Sequence, residues 1–92
     1  MSAIQEAAIG EVWKFRMEHL TEVFDVPKGA TVVHVHEQDG IPCIWMIVAP
    51  TAKKERRTFQ AIGTGQRFSG RYWYHGTAHC GSLVWHVFEV PK

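Results

Sequence analysis

The dipeptide Asp39–Gly40 separates two runs of residues that favour β-strands, Thr31–Gln38 and Ile41–Val48. Asp-Gly is a preferred sequence for a two-residue hairpin loop, because both central residues of that loop need positive φ angles. The dipeptide therefore predicts a β-hairpin. It also predicts the register of the hairpin, since a two-residue loop fixes which residues face each other across the two strands.

The predicted register sorts the hairpin residues onto two faces, because successive side chains of a strand point in opposite directions. Counted outward from the loop, it pairs Val33 with Met46 and Val32 with Ile47. One face is wholly apolar, and we expect it to face the core; it carries Val33, Val35, Ile44 and Met46. The other face mixes apolar with titratable side chains: Val32, His34, His36, Cys43, Trp45 and Ile47.

The mixed face is too hydrophobic to lie in water without a cover. A chain of 92 residues is too short to cover both faces of every central strand with its own residues. We therefore expect a second copy of the chain to cover this face, with Trp45 as its anchor, and we predict a homo-oligomer. The predicted interface residues are His34, His36, Cys43, Trp45 and Ile47.

Short runs of β-branched and aromatic residues, broken by Gly and Pro, predict five further strands. They are Glu11–Met17, Leu20–Val26, Arg56–Ile62, Arg71–Gly76 and Leu83–Val90. We expect Ala78–Gly81 to be a break. Strands at this spacing predict an all-β, mostly antiparallel domain, either a small sandwich or a partly open barrel of six to seven strands. The last run is apolar on both faces apart from two residues, so we expect it to be a central strand.

The size and composition of the chain are those of one globular domain. Hydrophobic residues make up 46% and charged residues 21%, which favours a folded chain over a disordered one. We expect residues 1–10 to form an N-terminal arm or helical turn, and residues 11–92 to form a single β domain. No segment is typical of a signal peptide or a membrane helix, so we expect a cytoplasmic protein without a membrane partner. In that compartment Cys43 and Cys80 would be reduced, although the sequence leaves a disulfide between them open.

Several segments of the chain resemble a family of small, mostly uncharacterised proteins encoded in bacteriophages and prophages. The matching segments are Val12–Phe15, Pro27–Ala30, Gln38–Gly40, Cys43–Trp45, Glu55–Arg57, Gly63–Gly65 and Val84–Glu89. The resemblance spans residues 12–89 and implies a phage or mobile-element origin. It implies no established activity and assigns no catalytic residue.

No set of residues completes a catalytic or metal site. Four potential zinc ligands lie close in sequence: His75, His79, Cys80 and His86. Their spacing includes one permitted pair but no second pair, which leaves metal binding open and unsupported. The predicted register also places His36 opposite Cys43, a pairing that can activate a thiol, yet no orienting group or oxyanion site accompanies it. We therefore expect no enzyme, no metal and no cofactor.

Basic and aromatic residues are concentrated in the second half of the chain. A basic run at residues 53–57 is followed by Arg67, Arg71 and the aromatic residues Tyr72, Trp73 and Tyr74. Guanidinium groups beside aromatic rings can hold phosphates and stack bases, although such runs are usually solvated surface. The predicted ligand residues are Arg56, Arg57, Arg71, Tyr72 and Tyr74. A formal net charge of +1 favours one small nucleotide over extended nucleic acid.

The sequence leaves three hypotheses about function open. The leading hypothesis is a non-enzymatic phage accessory protein that binds and modulates a host protein, such as a defence factor; it follows from the resemblance and the small size. The second hypothesis is a receptor or sponge for a small nucleotide, which uses the basic and aromatic group. The third is a minor virion or structural component, for which a symmetric β module would serve.

Overall fold

The computed structural model describes residues 9–92 of the chain. It contains seven strands: β1 Glu11–Arg16, β2 Thr21–Pro27, β3 Thr31–Gln38, β4 Ile41–Val48, β5 Lys54–Gly63, β6 Trp73–Cys80 and β7 Leu83–Val90. No helix occurs in the described residues, so none there could cross a membrane. The all-β prediction is confirmed, and three strands (β3, β4 and β7) begin and end at the predicted residues. The arm or helical turn predicted for residues 1–10 lies, up to residue 8, outside the described residues.

The strands form two antiparallel sheets that do not close into a barrel. Sheet A has three strands in the order β1-β4-β3, and sheet B has four in the order β2-β5-β7-β6. Of the two predicted architectures, the chain therefore adopts the sandwich. The strand β7 lies between β5 and β6, which confirms its predicted central position.

The hydrophobic core lies between the two sheets. The most deeply buried side chains of this core, each 2% exposed or less, come from both sheets: Val26, Ile44, Met46, Val48, Phe59, Ala61, Ala78 and Val87. Aromatic rings connect the sheets at one side of this core. The ring centroid of Phe24 in β2 lies 5.3 Å from that of Phe15 in β1 and 5.9 Å from that of Phe59 in β5. Burial of this apolar surface is the main term that stabilises the sandwich.

The predicted hairpin loop is confirmed. Asp39 and Gly40 have positive φ angles of 55° and 79°, which are the values that a two-residue hairpin loop needs. The loop sets the register for the nearest residues of β3 and β4, so that His36 lies opposite Cys43 as predicted.

The predicted register is wrong in the outer half of the hairpin. A β-bulge at Val33 places Val32, and not Val33, opposite Met46, and it places Thr31 opposite Ile47. As a result Val32 packs against the core, whereas Val33 is 46% exposed. Alternation could not reveal the bulge, because two adjacent valines are equally apolar and either could face the core.

The strand β6 differs most from its prediction. We predicted Arg71–Gly76 followed by a break at Ala78–Gly81, whereas the strand runs from Trp73 to Cys80 and the turn follows it. A Cβ atom on Gly76 would lie only 2.7 Å from the Cβ of Val35 in sheet A. The glycine here thus permits close packing of β6 against β3 and does not mark a loop.

Candidate functional site

An open cleft of about 620 Å³ lies at one end of sheet B. Because neighbouring strands of this sheet are antiparallel, the starts of β5 and β6 meet the ends of β2 and β7 at this end. The charged and aromatic residues that line the cleft are Glu55, Arg56, Arg57, Arg71, Trp73, Glu89 and Lys92. We call this the arginine cleft.

A buried ion pair lies in the arginine cleft. The side chains of Arg57 and Glu89 are only 12% and 5% exposed. The Nε and Nη2 atoms of Arg57 donate hydrogen bonds of 2.7 and 2.8 Å to the two carboxylate oxygens of Glu89. The remaining nitrogen, Nη1, donates to the carbonyl oxygen of Ala30 at 2.6 Å. This bidentate geometry is the strong form of the arginine–carboxylate pair.

A second bulge brings His75 to the same carboxylate. The register of β6 against β7 shifts between Tyr74 and Gly76, so that His75 is the extra residue. Its Nε2 atom lies 2.8 Å from Oε1 of Glu89. Its ring centroid lies 5.7 Å from that of Phe59 in the core. The carboxylate of Glu89 therefore has hydrogen-bond partners on two sides.

These contacts decide the charge of the pair. Burial alone would raise the pKa of Glu89, but the hydrogen bonds from Arg57 and His75 outweigh it and lower that pKa to about 2. The hydrogen bond to Glu89 likewise raises the pKa of Arg57. At neutral pH both groups are charged and neutralise each other. The predicted ligand residue Arg57 is thus already occupied by Glu89.

Other basic side chains of the arginine cleft are more available. Arg71 is exposed, and it has no hydrogen-bond or ion-pair partner in the part of the chain that the structure describes. Arg56 lies 3.8 Å from Asp25, and both side chains are largely exposed, so this pair is weak. Lys92 binds Glu55 at 3.0 Å. Four basic side chains face two carboxylates in the cleft, which leaves it positively charged.

An exposed indole ring lies beside the unpaired arginine. Trp73 is 57% exposed, although it is a large hydrophobic residue at the start of β6. It lies two residues after Arg71, and both residues line the cleft. An exposed indole next to a free guanidinium can stack a flat ring while the guanidinium holds an anion.

The two predicted tyrosines lie elsewhere, on the outer face of sheet B. There Phe88 of β7 is surrounded by Phe68, Tyr72 and Tyr74, with ring centroids 5.4, 5.9 and 5.4 Å from its own. We call these four residues the aromatic cluster. The structure therefore divides the predicted ligand group: Arg56, Arg57 and Arg71 line the arginine cleft, whereas Tyr72 and Tyr74 belong to the aromatic cluster.

A chain of hydrogen bonds holds the loop that supplies Phe68 against sheet B. Oγ1 of Thr64 lies 2.8 Å from Nε2 of His86, and Nδ1 of His86 lies 3.1 Å from Oγ1 of Thr77. His86 faces outward from sheet B, whereas His75 points into the sandwich, so these two potential zinc ligands lie on opposite faces of the sheet. Among residues 9–92, no three His, Cys, Asp or Glu side chains are placed to hold a metal ion.

The predicted interface residues lie on the outer face of sheet A. The ring of His34 lies 5.4 Å from Trp45 and 5.5 Å from His36, centroid to centroid. His34 and His36 are exposed, and Trp45 and Ile47 are half-buried. We call these four residues the histidine face. The fifth predicted residue, Cys43, is fully buried by its own chain.

The burial of Cys43 also bears on its chemistry. Desolvation raises the pKa of the Cys43 thiol and of the Cys80 thiol, which is the opposite of what an activated nucleophile needs. Both cysteines are free and buried. The cross-strand pairing of His36 and Cys43 is present, but burial of the thiol opposes the thiolate form that a nucleophile needs.

Sequence reasoning had not assigned Trp73 and Lys92 to the site. The basic character of this surface did have a signal in the sequence. The chain has no acidic residue between Glu55 and Glu89, but it has four arginines and three histidines there. A surface built from that segment must be basic wherever it is not apolar. Lys92 reaches the cleft only because β7 pairs with β5, which the sequence does not show.

No curated protein and no solved structure matches the chain. One family does match it, over residues 9–92, which is the whole of the sandwich described above; its description is "Domain of unknown function (DUF7352)". The chain therefore belongs to the DUF7352 family.

Proposed function

We propose that this chain is a binding domain, and that its arginine cleft takes a small anionic ligand with a flat ring, such as a nucleotide. One observation carries the proposal: Arg71 is exposed, has no partner among residues 9–92, and lines the same cleft as the exposed ring of Trp73. Both carboxylates of the cleft already have basic partners in Arg57 and Lys92. The remaining positive charge is therefore available for an incoming anion.

The chemistry of the two residues supports a nucleotide over other small anions. A guanidinium presents several N–H donors in one plane and can hold two phosphate oxygens at once. An exposed indole ring stacks any base, and such a contact contributes about 1–3 kcal/mol per base. An inorganic anion would use only the arginine and would leave the ring of Trp73 in water.

Thermal unfolding with a panel of linear and cyclic nucleotides tests the proposal. A ligand at 100 times its Kd stabilises the folded chain by about 2.7 kcal/mol, which raises Tm by about 10 °C or more in a domain of this size. We expect this shift to be lost in Arg71→Gln and in Trp73→Ala. Arg16→Gln, which removes the same charge from sheet A, should keep it. The proposal is wrong if no nucleotide shifts the wild-type protein.

The other hypotheses stay predictions. The phage origin implied by the resemblance, and with it the binding of a host protein, has no counterpart in a contact or charge described above. The same holds for a role in a virion. A nucleotide site is compatible with a phage accessory protein, since sequestering a nucleotide signal would be one way to modulate a host.

A further inference from the structure

We infer that the ligand of the arginine cleft is a short single-stranded nucleic acid that continues over the edge of β6 onto the aromatic cluster. This inference rests on the proposed function, since the first base would stack on Trp73. It goes further because it assigns a second stacking site and a second phosphate contact. Two observations outside the cleft support it.

The first observation is a second unpaired arginine. Arg67, four residues before Arg71, is exposed and also has no hydrogen-bond or ion-pair partner among residues 9–92. No acidic residue occurs in the chain between Glu55 and Glu89, so no carboxylate from that segment neutralises either arginine. One mononucleotide can occupy one of these guanidinium groups, whereas two successive phosphates can occupy both. The positive charge is local, and a net charge of +1 therefore does not oppose a short strand.

The second observation is a second set of exposed rings. In the aromatic cluster, Phe68 is 48% exposed and Tyr74 is 59% exposed. Rings that only anchored a loop would be buried, and these leave about half of their surface to solvent. Arg67 and Arg71 directly precede Phe68 and Tyr72 in the chain. Their positive charge disfavours a cationic partner, and the rings favour one that can stack. Bases linked by phosphates combine the two properties.

The position of β6 connects the two sites. It is one of the two edge strands of sheet B, and successive side chains of a strand point to opposite faces. Trp73 therefore faces the arginine cleft while its neighbour Tyr74 faces the aromatic cluster. Arg71 precedes both and lies where a strand of nucleic acid would cross from one face to the other. The two stacking sites thus belong to adjacent residues of one chain segment.

Binding of labelled oligothymidylates of one to eight nucleotides tests the inference by fluorescence anisotropy. We expect affinity to rise about fivefold or more between one and four nucleotides, because a second stacked base contributes at least that factor. Phe68→Ala and Arg67→Gln should each remove this gain and leave the mononucleotide affinity unchanged. Arg16→Gln serves as the control for charge. Salt should weaken the tetranucleotide more steeply than the mononucleotide, by about 0.7 in logarithmic slope for the one additional phosphate that Arg67 contacts.

The outcomes separate the inference from the proposed function. Equal affinity for one and four nucleotides would overturn the inference and leave the nucleotide cleft intact. Absence of binding at every length, together with no thermal shift, would overturn both. Polyglutamate is the remaining arm: if it binds as tightly as the tetranucleotide, the partner is an acidic peptide and the stacking argument is wrong.

Discussion

Arg57 and Arg71 line the same cleft and differ in what their charges do. The Nε and Nη2 atoms of Arg57 donate hydrogen bonds to the carboxylate of Glu89, and both side chains are buried. Arg71 is exposed and has no such partner within the described chain. The charge of the first arginine is neutralised within the fold, and the second is available to a ligand. Pairing, and not residue type or place in the cleft, thus distinguishes a structural arginine from a binding one.

The structural role of Arg57 is tested by removing its carboxylate partner. Glu89→Ala should lower the free energy of unfolding by about 3–5 kcal/mol, because it leaves the guanidinium of Arg57 buried without its partner. Urea unfolding measures the change. As a matched control, Glu18→Ala breaks the exposed pair with Arg16 and should cost less than about 1 kcal/mol. Similar losses in the two variants would show that the Arg57–Glu89 pair contributes no more than a surface pair.

Acid should weaken the same pair. The folded-state pKa of Glu89 is about 2, well below its ordinary value of 4.5. Between these values the unfolded chain binds a proton that the folded chain does not, so stability falls as the pH falls. The contribution is complete above the ordinary pKa and is lost as the pH approaches 2, up to about 3 kcal/mol.

Urea unfolding at several pH values from 6 to 2 measures this loss, with Glu89→Gln as the comparison. The variant lacks the titrating group, so the difference in stability between wild type and variant should shrink as the pH approaches 2. A constant difference over this range would mean that Glu89 keeps its proton affinity on folding, contrary to the geometry of the pair.

Much of the fold could be predicted from local sequence. The loop at Asp39–Gly40 and the alternation beside it determine the hairpin, because both depend on neighbouring residues only. The bulges at Val33 and His75 could not be predicted, since an extra residue leaves composition and alternation almost unchanged. The length of β6 could not be predicted for another reason. Its small residues, Gly76 above all, are typical of a loop in the sequence, but in the structure they permit close packing against β3 in the other sheet.

The site was predictable in part. The basic character of the segment around Arg56 and Arg71 is visible in the sequence, and so is the alternation that separates Trp73 from Tyr74. Applied to residues 71–74, that alternation would have grouped Arg71 with Trp73 rather than with the tyrosines. The pairing of Arg57 with Glu89 was not predictable. The two residues are 32 positions apart and meet only because β5 and β7 are neighbours.

The outer faces of the two sheets differ in a similar way, because one is covered by a loop of the chain and the other is not. On sheet B the loop that carries Phe68 covers Phe88, whereas on sheet A the histidine face has Trp45 half-buried and His34 exposed. If a second copy covers this face as predicted, light scattering at micromolar concentration should give about twice the 10.5 kDa of one chain. Trp45→Ala should weaken that assembly by about 2 kcal/mol or more per site. A wild-type mass near 10.5 kDa would contradict the homo-oligomer.

Removal of Arg71 should change the stability very little, and comparison with the removal of Arg57 tests the difference between the two arginines directly. Arg71→Gln removes a charge that has no partner in the described chain, so urea unfolding should place the variant within about 0.5 kcal/mol of wild type. Arg57→Gln removes the partner of a buried carboxylate and should destabilise by several kcal/mol. Nucleotide binding should be lost in the first variant while its fold is unchanged. A marked loss of stability in Arg71→Gln would show instead that Arg71 is structural, and the distinction between the two arginines would fail.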